Sequence, residues 1–164
     1  MKTGNIRNKI LTLPQLQKQI NQWRFLGKTI AFTNGCFDII HAGHIASLIE
    51  AAKHGSILLV GLNSDASVRK LKGEGRPLND EQSRALVLAA ITVVDGIVIF
   101  EEETPKELIA FIKPDVLVKG GDYKIEDIAG ADEVIANGGK VIINPLLPGY
   151  STTATINKLL NVKN

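Results

Sequence analysis

Two histidines, His41 and His44, stand three residues apart in the stretch TNGCFDIIHAGH, residues 33–44. The first turn of a helix carries unpaired backbone N–H groups and attracts anions. Side chains three residues apart share one helix face. A helix starting near Gly43, with His41 at its edge, would therefore aim two imidazoles at the same phosphate oxygens. Gly35 permits a tight bend and a close approach of backbone to ligand, and Gly43 removes a side chain between the histidines. Two other readings stay open on pattern alone. Cys36, His41 and His44 could hold zinc, although three candidate ligands without a CxxC or HExxH arrangement form an incomplete set. The histidines could also be ordinary hydrogen-bonded residues of a partly buried turn, with Cys36 a small packed side chain. No GxxxxGK[ST], no GxGxxG after a strand and no GxSxG elbow occurs, and GEG at 73–75 reads as a loop.

The elements that must position these residues alternate along the chain. Thr12 is placed to cap a first helix, with Pro14 in its first turn, apolar Leu13, Leu16, Ile20 and Trp23 at helical spacing, and Gly27 as its stop. Strand-like apolar runs are predicted at 29–33, 56–63, 96–100, 115–119 and 140–144. Between them the pattern predicts helices over 44–54, 65–71, a segment after Asn79 as cap, a segment opened by Thr104 and Pro105, and 131–137. Ser151 caps a last helix to about residue 160, and 72–79 (KGEGRPLN) is a loop. Strands alternating with helices imply a doubly wound parallel α/β sheet. Ligands in such sheets lie beyond the carboxyl ends of the strands, where strand order reverses. NGCFD after the first strand and KGGDY after the fourth are the segments to expect there.

The 164 residues fit one domain, with 1–27 as a helical extension and 28–164 as the core. Hydrophobic residues make up 45% and charged residues 22%, ordinary for a globular protein. A net charge of +2 offers no basic stripe, so a nucleic acid is not expected as partner. No apolar run approaches a membrane span or the core of a signal peptide, and one cysteine excludes an internal disulfide framework. A cytoplasmic location is expected.

GCFDIIHAGH resembles the GxFDxxHxGH signature of the cytidylyltransferase-like nucleotidyltransferases, and HAGH also resembles the HIGH box of class I aminoacyl-tRNA synthetases. LNSDASVRKLKGEGRPLNDEQSR, LVKGGDY, EDIAGADEVIANGG and STT are similar to the heptose 1-phosphate adenylyltransferases, in their stand-alone form. The resemblance runs from about residue 28 to the end. It implies a Rossmann-like five-stranded parallel sheet in the order 3-2-1-4-5. It implies that His41 and His44 contact nucleotide phosphates and stabilise the transition state. Lys72 would reach the phosphates from a mobile loop, and Arg84 would point into the site from the following helix. Cys36 and Phe37 would touch the nucleotide through backbone, Asp122 would lie near the nucleoside, and Ser151, Thr152 and Thr153 would hold phosphate at a helix N-terminus. Thr33, Asn34, Gly35 and Gly43 join the implied nucleotide-binding positions, as do Asn63, Lys119 and Gly120. Each has a plainer alternative: Lys72 and Arg84 as solvated charges, Ser151 as a cap only.

One departure is informative. Cytidylyltransferase relatives carry an arginine shortly before STT, where this chain has Leu146 and Leu147. That argues against the glycerol 3-phosphate branch. The arginine usual after STT is also missing, and Lys158 is the nearest base, without a bidentate fork. The implied reaction joins ATP and heptose 1-phosphate to give ADP-heptose and pyrophosphate, with Mg²⁺ accompanying ATP and no protein metal site. A related transfer to glycerol 3-phosphate or FMN, or a non-catalytic nucleotide sensor, remains as alternative. A homodimer and a role in bacterial surface glycans such as the lipopolysaccharide core are also carried by resemblance.

Overall fold

Side chains on a strand alternate between the two faces of a sheet, and the central strands here are apolar on both. In the computed structural model, which describes residues 6–145 and 148–160, β2 (Ile30–Gly35) and β3 (Ile57–Asn63) form the middle. Ile30, Phe32, Ile57 and Leu59 face one core. Ala31, Leu58, Val60 and Leu62 face the other. The first core is roofed by Leu16, Ile20 and Trp23 of α1 (Leu13–Phe25), with Leu108, Ile109 and Ile112 of α5 (Lys106–Ile112). The second is roofed by Leu48 and Ala51 of α2 (Ala42–Ala52), with Ala85, Leu88 and Ala89 of α4 (Glu81–Ala89). The remaining elements are β1 (Ile10–Leu11), α3 (Asp65–Lys72), β4 (Gly96–Phe100), β5 (Val116–Gly120), α6 (Ala131–Ala136), β6 (Lys140–Asn144) and α7 (Thr152–Leu160).

The sheet is six-stranded and parallel, ordered β1-β4-β3-β2-β5-β6. The five expected strands keep the neighbours of the implied order, but β1 adds a sixth at the edge. It pairs Ile10 with Ile97 and Leu11 with Val98. Two residues are too few for a periodicity of two to register, so this strand is decided by its tertiary partner. Two predicted caps also differ. Asp80, not Asn79, accepts from the Ser83 amide to start α4, because Asn79 is held by Asp38. Pro105, not Thr104, is the N-cap of α5, with no side-chain hydrogen bond. Thr12 caps α1 in a reciprocal box with Gln15, as its sequence indicates, while Leu13 is exposed. Residues 1–5 of the N-terminal extension, and Leu146 and Leu147, lie outside the described residues.

The crevice arises from register. Pairing between β2 and β3 continues to Gly35↔Leu62, whereas pairing between β2 and β5 stops at Phe32↔Leu117. Beyond that point the two strands part, and their carboxyl ends carry Asn34–Gly35 and Lys119–Gly120. This is the reversal of strand order at which a doubly wound sheet opens for a ligand.

Candidate active site

The loop leaving β2 is tightly shaped. A side chain at Gly35 would sit 3.0 Å from the Phe37 ring, and Phe37 itself has a φ of 46°. A non-glycine residue in that region stores strain that its surroundings must hold in place. The loop delivers His41 to the N-cap of α2. There the His44 amide donates to His41 Nδ1 and the His41 amide donates to His44 Nδ1, each at 3.4 Å. The rings stack with centroids 3.8 Å apart. The expectation of two imidazoles together at a helix start is met in geometry. Because each Nδ1 accepts, a neutral ring in either position carries its proton on Nε2.

Burial, reinforced by the neighbouring His41, lowers the pKa of His44 to about 4, against the opposing pull of the Ile39 carbonyl. His44 therefore meets a ligand as a neutral donor. The same shift makes stability pH-dependent. Between about pH 6.5 and 4 the unfolded chain binds a proton on His44 that the folded chain does not, so stability falls as pH falls through that window. His44→Gln keeps a capping amide without the titration. Its Tm should drop less than that of the parent between pH 7 and pH 4; equal drops would disprove the assignment.

The crevice holds two cavities that share His44, Asn34, Gly35, Cys36, Phe37 and Lys72. The larger, about 1040 Å³, takes in Thr33, His41, Gly43, Gly120, Ser151 and Tyr150. Tyr150 stacks near His41 at 6.0 Å between centroids, and a side chain at Gly43 would meet the Tyr150 Cβ at 2.9 Å. Gly43 is thus what lets the chain before α7 close on the start of α2. Ser151 Oγ accepts from the Ala154 amide at 3.3 Å, and Thr152 opens the helix. Two helix N-termini consequently border this cavity. The smaller, about 490 Å³, takes in Asn63, Arg76, Glu103, Lys119, Tyr123 and Asp127. Thr153 lines both.

Lys119 Nζ donates to Asn34 Oδ1 at 3.3 Å across the gap between β2 and β5. Burial pushes its pKa down, with Cys36 pulling the other way, and among the described residues it forms no ion pair. A partly desolvated cation without a carboxylate suits an incoming anion. Lys72, the last residue of α3, is exposed and reaches both cavities. Burial outweighs the attraction of Lys72, Arg84 and Arg76 and pushes the Cys36 thiol pKa up, which disfavours the thiolate.

Two expected site residues stand elsewhere. Arg84 lines neither cavity and is 1% exposed. Its guanidinium donates to the Cys36 carbonyl at 2.6 Å, the Asn63 carbonyl at 2.8 Å, the Asn79 carbonyl at 3.0 Å and Asp65 Oδ1 at 2.7 Å. Its charge balances Asp65 and its fork ties the carboxyl ends of β2 and β3 together from behind. Asp122 is exposed and lines neither cavity.

A profile of the family described as Cytidylyltransferase-like matches residues 32–158. The chain belongs to the cytidylyltransferase-like family. Over 150 residues it is 53% identical to the Bifunctional protein HldE of Hyphomonas neptunium, covering 92% of this chain and 31% of that protein. Over 156 residues it is 51% identical to the protein of the same name from Wolinella succinogenes, covering 95% and 32%. The chain thus spans about a third of the length of these curated relatives. Among solved structures, the lipopolysaccharide core biosynthesis protein of Thermoplasma volcanium GSS1 superposes with a TM-score of 0.61 at 29% identity, covering 74% of this chain and 98% of that one. Pantoate-beta-alanine ligase of Francisella tularensis shares the fold, with a TM-score of 0.61 at 15% identity over 93% and 78%.

Within this cytidylyltransferase-like chain, three residues of the site were given no role from the sequence. Asp38 is 5% exposed and accepts from Arg76 Nε and from the Leu78 and Asn79 amides, all at 2.9 Å. Burial alone would raise its pKa, but these donors outweigh it and the net shift is downward. Asp38 thereby anchors the loop between α3 and α4 and turns Arg76 to the smaller cavity. Tyr150 is the third. Asp38 sits inside the quoted signature and Arg76 inside GEGRP, but their pairing joins residues 38 apart in the chain and has no local signal. Among the described residues no group of three or more His, Cys, Asp or Glu converges, so Cys36, His41 and His44 make no metal cluster. No helix of the described residues is long and apolar enough to cross a membrane.

Proposed function

We propose that this chain transfers AMP from ATP to a heptose 1-phosphate, giving ADP-heptose and pyrophosphate. The observation that carries the reading is the stacked His41–His44 pair at the start of α2, with His44 lining both cavities and His41 the larger, at the point where β2 and β5 part. The motif resemblance and the two relatives named HldE support the sugar nucleotide chemistry, as does the likeness to a lipopolysaccharide core biosynthesis protein. A phosphate oxygen of the acceptor attacks the α-phosphorus in line, the bond to the β-phosphate oxygen breaks, and pyrophosphate leaves with those electrons. The attacking oxygen is already anionic, so no protein nucleophile is needed, in keeping with the raised thiol pKa of Cys36.

The residues then have separate tasks. His41 and His44 donate to the phosphoryl oxygens as charge builds, and Ser151, Thr152 and Thr153 hold phosphate at the start of α7. Lys72 closes over the triphosphate, while Thr33, Asn34, Gly35, Gly43, Asn63 and Gly120 shape the strand ends around it. Arg84 positions the backbone of Cys36 and does not touch substrate. Mg²⁺ would arrive with ATP, held chiefly by the triphosphate. A homodimer in the cytoplasm, feeding surface glycan assembly, completes the proposal.

Pyrophosphate release with heptose 1-phosphate tests it directly. ATP should support turnover at least tenfold better than CTP in kcat/KM. Transfer with glycerol 3-phosphate or FMN but not with the heptose, or ATP binding with no product from any acceptor, would overturn it.

A further inference from the structure

The two cavities differ in the kind of chemistry that lines them, and the smaller is mixed in a specific way. Lys72, Arg76 and Lys119 bring positive charge to it, and Glu103 and Asp127 bring two carboxylates. Glu103 follows β4 in the chain and Asp127 closes a short 3-10 turn after β5. The segments that carry them are held side by side. Ile109 and Ile128 share one core, and a side chain at Gly130 would meet the Ile109 side chain at 2.6 Å. Among the described residues neither carboxylate forms an ion pair, although Lys72 and Lys119 line the same cavity and are also unpaired. Charges of both signs that leave each other free in one polar cavity suit a ligand that separates them. Such a ligand has an anionic group for the cations and hydroxyl donors for the carboxylates, which only accept hydrogen bonds.

We infer that the smaller cavity is the acceptor subsite, in which Glu103 and Asp127 take hydroxyls of a sugar phosphate while Arg76 and Lys119 hold its phosphate beside His44. This deepens the proposed function and rests on it. Asp38 acts here as a positioning residue. Its carboxylate takes Arg76 Nε at 2.9 Å, which leaves the two terminal nitrogens of the guanidinium for a phosphate.

Initial rates with Glu103→Gln and Asp127→Asn, varying each substrate in turn, test the assignment. Both side chains are exposed and these changes keep their shape. Each variant should raise the KM for heptose 1-phosphate at least tenfold and leave the KM for ATP within twofold. With mannose 1-phosphate, which lacks the seventh carbon and its hydroxyl, at least one variant should lose less than it does with the heptose, because a contact already missing cannot be lost again. An unchanged acceptor KM in both variants, or a rise in the ATP KM instead, overturns the subsite assignment while leaving the proposed reaction intact. If CTP proves to be the donor, the reading of ATP fails and the acceptor KM still decides the subsite. If the parent enzyme uses only glycerol 3-phosphate or FMN, both fail together.

Discussion

Replacing His44 by alanine is expected to lower kcat about 10²–10³-fold, the cost typical of removing one donor aimed at transition-state charge. The physical reason lies in its protonation state. Burial beside His41 keeps the ring neutral, with its pKa at about 4, so under the proposed function it would meet ground-state ATP as a hydrogen-bond donor and not as a full charge. Negative charge growing on the phosphates during transfer would raise the ring's proton affinity and strengthen the interaction where it counts for rate. Loss should therefore appear mainly in kcat, with the dissociation constant for ATP within a few-fold of the parent. Stability should fall by only about 1 kcal/mol, because His44 also contributes half of the reciprocal cap with His41. Single-turnover rates and ATP titration on the same preparation check both parts. Parental turnover in a folded His44→Ala protein would remove the histidine pair from the mechanism.

Arg84→Ala is expected to act through stability, by about 3–5 kcal/mol, since truncation strands buried partners of a charge. The guanidinium serves three backbone carbonyls and Asp65, and the side chain is 1% exposed. A lysine would keep the charge but could not span Cys36, Asn63, Asn79 and Asp65 at once. Urea unfolding of Arg84→Ala and Arg84→Lys checks this: both midpoints should fall, with lysine recovering only a minor share. A residue acting purely on substrate would instead leave both midpoints at the parental value and lose only turnover.

These two residues mark how far the sequence could be read. His41 and His44 were legible because the helix start that aligns them is local: a glycine, an N-cap position and a spacing of three. The five long strands were legible because each carries an apolar run, continuous in the central β3, which is buried on both faces, and still readable in the partly buried edge strand β6. Arg84 was legible as a residue to single out but not in its placement. An arginine on an amphipathic helix looks the same whether it turns to solvent, to substrate or to the backs of two strands. Asp38 and Arg76 were equally hidden, because their bond joins two loops that meet only once the sheet has formed. The Asn79 cap failed for the same reason, since the Asn79 side-chain amide donates to the Asp38 carbonyl at 2.8 Å.

By itself, the sequence determined the alternation of strands and helices and the family, because burial patterns and helix caps depend on neighbours a few residues away. It also determined the chemical character of the crevice, through the histidines and the glycines that shape their turn. Only the tertiary structure decided the sixth strand, the split of the crevice into two differently charged cavities, and the retreat of Arg84 behind the site. Those outcomes depend on where β2 and β5 stop pairing and on which distant groups then compete for the same hydrogen bonds, and no local pattern records either.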